Sequence, residues 1–438
     1  MLKKTYFRLL IYLCLWQLYL TFMASHAPLG TDWLSWHFQR IYNFSEYLKL
    51  NGYFSNYGFS IWSTCKDCAL NLEQWTDKTY LSGNFFSQFP YIFINHYFGA
   101  ENLKLYGNLV DKITIFITGI LIAELLIKLQ KNKNGMRNFI KAILCFIFFI
   151  VNPWTYKMII ASWSIIFFVF FFLSGILMFL NNKKNSGLLL LFISGLFSYQ
   201  SSAGVGLFYL MILAILYLNK RQNLIKNYFP NIVNNKFLPY KIIFFLFASV
   251  FFYFYLKFLA TSGLEEHAGS SILKRIGISG NDIHNGGLLG ALQFLGGNRI
   301  TQCIVGSNIV LDVNNLSRSI FLYNCILSTM SMFLISLVSV FGLFIFYKKH
   351  NSFFKLILFP VLFLLLSYLL LLQESSSAHL MGYSYFFSAI FSVGITAVIF
   401  KVLEKYNFSA IAITLSTPIT IGIMFLCIRV SMLTGING

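Results

Sequence analysis

The sequence predicts an all-α fold, a polytopic integral membrane protein with about 11 transmembrane helices in a single membrane domain over residues 1–438. Three observations lead there. The chain is 57% hydrophobic and only 11% charged, with a mean hydropathy of +0.69, whereas a soluble domain carries about a quarter charged residues. Apolar runs of roughly 18–20 residues recur along it, each enough to cross about 30 Å of hydrocarbon. They show no period-two alternation, which argues against a β-barrel. Finally, the net charge of +19 is spread over short basic clusters between the runs, the pattern that sets membrane topology. With no single basic patch, the expected partner is a lipid bilayer and not a nucleic acid.

The expected spans are residues 6–24, 111–129, 139–152, 158–180, 187–200, 204–218, 242–260, 319–346, 356–373, 383–400 and 408–430. Lys3, Lys4 and Arg8 precede the first run. That run is long for a signal peptide and lacks a small-residue cleavage site, so it reads as an uncleaved span. The third span ends at Asn152-Pro153-Trp154, and the fifth and sixth meet at Gln200-Ser201-Ser202-Ala203-Gly204. Such breaks are tolerated where they face protein or water. Glu124 lies inside a span, four residues before Lys128, which an ion pair on one helix face explains.

The basic clusters, among them Lys128 to Lys141, Lys220 to Lys241 and Lys348 to Lys355, fall at alternate turns. This places the N-terminus in the cytoplasm, in what reads as a bacterial inner (plasma) membrane. Nearly all the acids, including Asp32, Glu46, Asp111, Glu265, Glu266, Asp282 and Glu374, then fall outside. So do the two large loops, about 25–109 and 261–318, and chemistry or recognition is expected on that side.

The first candidate constellation is Gly30 to Arg40. Thr31 suits a helix N-cap, and Asp32 the first helical turn, where a carboxylate is favoured. Leu34, Phe38, Ile41 and Leu48 repeat at helical spacing, which predicts an amphipathic helix on the outer membrane surface. Asp32, Trp36 and Arg40 then share one face. Arg binds phosphate bidentately, Trp stacks on sugar rings, and Asp accepts a proton from an attacking hydroxyl. The plainer reading makes Asp32 a helix-start acid and Arg40 a headgroup anchor. The rest of the loop is aromatic, from Tyr53 to Tyr91, and suits either a sugar-binding surface or an interfacial belt.

Cys65 and Cys68 form a CxxC expected to close as a disulfide outside the cell. No second CxxC or HxxxH accompanies it, so neither a metal nor a cofactor is expected. In the second loop Lys274, Arg275 and Arg299 are candidate phosphate clamps, or members of a solvated loop. Glu374, in Gln373-Glu374-Ser375, is a candidate second acid or a simple loop acid.

One early span, a long outer loop and Asp32 near that loop's start resemble the GT-C membrane glycosyltransferases, with Thr31-Asp32-Trp33 in the place of their catalytic acid. The small size resembles their surface-polysaccharide glucosyltransferases of bacterial and phage type. The resemblance implies a polyprenyl-phosphate-linked sugar donor and a glycan or lipid acceptor. It makes Asp32 the catalytic base. Trp33, Trp36, His37, Arg40, Lys274, Arg275, Arg299 and Glu374 become substrate-binding candidates. The alternatives are an O-antigen or capsule polysaccharide polymerase, and a lipid or polysaccharide transporter. The near absence of charge within the expected spans counts against the transporter.

Overall fold

The computed structural model describes residues 10–21, 41–42, 45–50, 52, 59–61, 79–129, 135–152, 155, 165–218, 238–260, 330, 334–335, 337–342, 378–405 and 420–422. Strands β1 (Phe59–Ile61) and β2 (Thr79–Asn84) are followed by helices α1 (Phe85–Phe98), α2 (Ala100–Leu129), α3 (Gly135–Ile150) and α4 (Ile165–Leu180). Then come α5 (Lys184–Phe197), α6 (Tyr199–Leu218), α7 (Leu238–Ala260) and α8 (Ala378–Lys405).

Helix is the expected element, but the expected spans are not found. Among the described residues no helix is long and apolar enough to cross a membrane. This overturns the expectation of about 11 transmembrane helices and, with it, the inner-membrane location. Part of the physical reason is length. Helices α1, α3, α4 and α5 have 14, 16, 16 and 14 residues, and at 1.5 Å per residue each falls short of about 30 Å. Helix α2 has 30 residues but carries Asp111, Lys112, Glu124 and Lys128 along its apolar stretch.

The chain divides into two compact units, residues 1–121, 158–210 and 235–268 in the first, and 122–157, 211–234 and 269–438 in the second. In the first unit β1 and β2 pair antiparallel, and β2 runs straight into α1. Helices α1 and α2 form a hairpin through Gly99, whose φ of +83° suits a residue without a Cβ. The Gly99 N–H donates to the Asn95 carbonyl at 3.2 Å, closing the turn. Helical residues 10–21 lie on α2, with Trp16 edge-on to Phe116 at 4.7 Å and the Tyr19 hydroxyl donating to the Lys112 carbonyl. Helices α4 and α5 cross where Gly175 meets Gly187; a Cβ on either would stand 3.0–3.1 Å from the other's carbonyl oxygen, so the backbones touch. Gly195 of α5 similarly receives Ser249 of α7.

In the second unit α3 packs on α8. Phe148, Ile395, Ile399, Phe400 and Leu403 form its apolar core with Ile335. Lys141 pairs with Glu404 at 3.0 Å and sits over the Phe400 ring. Gly394 of α8 lies against the backbone of Ser339 and Gly342, with no room for a side chain there.

Candidate functional site

One group of buried polar side chains lies in the α1/α2 hairpin. Tyr91 and Asn95 stand four residues apart on α1, and Asn108 and Asp111 three apart on α2, so each pair shares a helix face. The faces meet: the Tyr91 hydroxyl donates to Asp111 Oδ1 at 2.6 Å. Both residues are fully buried. A carboxylate removed from water needs such a donor, because burial without one costs several kcal/mol. One turn closer to Gly99, the Asn95 amide donates through Nδ2 to Ser45 Oγ at 3.0 Å and to Glu46 Oε1 at 2.5 Å. This ties helical residues 45–50 to the hairpin. Asn95 Oδ1 is buried and accepts no hydrogen bond, and Asn108, with no exposed surface, makes none through either amide atom. Beside them, burial and then the Glu46 carboxylate push the Tyr42 hydroxyl above its ordinary pKa.

The other flank of the hairpin is apolar. Phe89 and Phe93 of α1, Val110 and Thr114 of α2, Phe167 of α4 and Phe197 of α5 line a groove of about 580 Å³. Its volume lies within the roughly 300–1,000 Å³ of ligand sites. Phe171 stacks on Phe197 at 5.3 Å, and Phe167 stands edge-on to Tyr91 at 6.0 Å. One ring thus forms groove wall and packs against the buried Tyr91–Asp111 pair. Phe89 and Phe93 remain about half exposed at the rim.

Asp32, Trp33, Trp36, His37, Arg40, Lys274, Arg275, Arg299 and Glu374 lie outside the described residues, as do Cys65 and Cys68. The described end of the helix expected after Thr31 has Ile41 and Leu48 buried. Ile41 packs with Tyr91, Ile94, Leu103 and Phe167, so at this end the apolar face meets protein and not the lipid surface expected for it. The sequence reading counted Glu46 and Asp111 only as acids of one side, and Tyr91 as one aromatic among many. It passed over Asn95 and Asn108. Their three- and four-residue spacing with Asp111 and Tyr91, inside otherwise apolar stretches, was the available signal. Among the described residues no group of three or more His, Cys, Asp or Glu is placed to hold a metal ion.

No family model, no curated protein and no solved structure matches this chain.

Proposed function

We propose that the chain is a glycosyltransferase, a hexosyltransferase that takes its sugar from a polyprenyl-phosphate donor and passes it to a glycan or lipid acceptor in cell-envelope polysaccharide synthesis. The observation that carries this reading is the aromatic groove between α1, α2, α4 and α5. An isoprenoid chain is long, narrow and wholly apolar. Its transfer from water into a groove of phenylalanine side chains gains about 25 cal/mol for each Å² covered. The sequence supplies the chemistry. Asp32 takes the proton of the acceptor hydroxyl, and that oxygen attacks the anomeric carbon. The lipid phosphate leaves with the bonding pair, its charge met by cations such as Arg40, Lys274, Arg275 or Arg299.

The test is transfer of a labelled sugar from a polyprenyl-phosphate donor by the purified protein. Asp32→Asn is expected to abolish transfer while donor still binds. Phe93→Asn, at a half-exposed rim position, is expected to raise the donor KM about tenfold, or about 1.4 kcal/mol, and leave kcat unchanged. Absence of transfer by the wild type with a panel of such donors would sink the reading. A ladder of repeat units in place of a single addition would move the assignment to a polymerase.

A further inference from the structure

Helix α7 has two unlike faces. Leu246, Val250 and Tyr253 are buried, and the Ser202 hydroxyl of α6 donates to the Leu246 carbonyl at 2.9 Å. Ser249, on that same side, meets Gly195 of α5 with no room for a Cβ. One side thus fixes the helix to its unit. The other side carries Tyr240, Phe244, Phe251, Tyr255 and Phe258, each 55–70% exposed. Their spacing of four, seven, four and three residues keeps them on one helix face.

A whole aromatic side chain presents about 150–250 Å². More than half of each of these five is uncovered, which makes an aromatic face of roughly 600 Å². Monomers rarely leave more than a few hundred Å² of contiguous apolar surface in water, and larger patches mark contact sites. Charge and area point to what covers this one. From Ile242 to Leu256 the helix has no charged residue, although the whole chain carries +19. The face therefore meets its own copy without like-charge repulsion. A foreign protein drawn to so basic a chain would be acidic, and this stretch offers no cation to pair with it. Aromatic enrichment and charge depletion are also what the core of an interface shows. Paired with itself, the face buries roughly 1,200 Å² in total, which reaches the range of about 1,200–2,000 Å² in specific stable complexes.

We propose that the chain pairs with a second copy of itself, the Tyr240–Phe258 face of α7 packing on the same face of the other copy. The interface is isologous, and its centre lies near Phe251. The pairing does not depend on what the aromatic groove binds.

The experiment is sedimentation equilibrium of the full chain across a wide range of micromolar concentrations at physiological ionic strength. The wild type is expected to reach the mass of two 50.4 kDa chains and to stop there. Phe251→Glu puts a carboxylate at the centre of both faces and is expected to weaken the association about a hundredfold or more. Phe251 is exposed in the single chain, so folding is expected to survive the change, with an unchanged circular dichroism spectrum. Should that variant not fold, Tyr255→Glu carries the same test. Tyr97→Glu, at an exposed aromatic near the Gly99 end of α1, is expected to leave the dimer as it is. A wild type that stays monomeric overturns the proposal, as does one whose mass climbs without limit. Equal weakening by Tyr97→Glu and Phe251→Glu also overturns it, because the association is then a general one. If monomeric wild type floats with phosphatidylcholine–phosphatidylglycerol vesicles and Phe251→Glu does not, the face belongs to a lipid surface and the dimer is overturned.

Discussion

The α1/α2 hairpin of the first unit and the α3/α8 contact of the second join helices of similar composition in different ways. Between α1 and α2 the centre is polar: Tyr91 on Asp111, with Asn95 and Asn108 buried alongside. Between α3 and α8 the centre is Phe148, Ile395 and Ile399, and the Lys141–Glu404 ion pair is partly exposed. An apolar contact tolerates small shifts, because dispersion and burial are non-directional. A buried hydrogen bond to a carboxylate does not, because a small displacement leaves the charge poorly paired. The first unit is thereby tied to one register beside its groove, and the second owes its stability to packing.

Truncation of the apolar centre tests that contrast most severely. Phe148→Ala removes a fully buried ring and is expected to cost about 3–5 kcal/mol in urea unfolding. A loss below about 1 kcal/mol would mean that the α3/α8 contact does not hold the second unit. Tyr91→Phe deletes one oxygen and leaves the packing. It is expected to cost about 1–3 kcal/mol, whereas Ser392→Ala, which removes a 3.6 Å contact to the Cys145 thiol, should cost less than half as much. Equal costs for the two would erase the distinction between the units.

A third effect is confined to alkaline solution. Burial pushes the Cys145 thiol up to about 12, opposed by hydrogen bonds to Ser392 and Thr396. The folded state therefore keeps a proton that the unfolded chain releases. The resulting stability is complete below the ordinary thiol value of 9.0 and is lost as pH rises towards about 12. At pH 8 an alkylating reagent is expected to modify exposed Cys14 and spare Cys145 until denaturant is added. Modification of both at one rate in native protein would contradict the burial of the second. The smallest effect is expected from Lys141→Ala, within about 1 kcal/mol, since the pair retains solvent contact.

Much of the helical layout was legible. The apolar runs 111–129, 139–152, 187–200, 242–260 and 383–400 fall within α2, α3, α5, α7 and α8 or close to their ends. Helix α1 was not legible. Pro90, Gln88 and Asn95 interrupt its apolar pattern, and the whole stretch reads as loop. The paired strands were missed for the same reason: three and six residues give too short a period to register. Of the residues now placed in the hairpin site, none could be assigned a partner from sequence, because Tyr91 meets Asp111 only after Gly99 has turned the chain back.

Composition alone determined that this chain would be helical, apolar and basic, because the helical period and the spacing of charged residues are local properties. It did not determine where the apolar surface goes. Phe148 and Phe172 are fully buried, whereas Phe251 is 70% exposed, and hydropathy counts all three alike. Only the tertiary structure decided where each helix ends, leaving α1, α3, α4 and α5 at 14 to 16 residues. It also decided that Tyr91 and Asp111, on opposite sides of the turn at Gly99, would share one buried hydrogen bond. Burial and pairing are properties of the neighbours a residue acquires, and those are set by chain reversal and packing, not by its own chemistry.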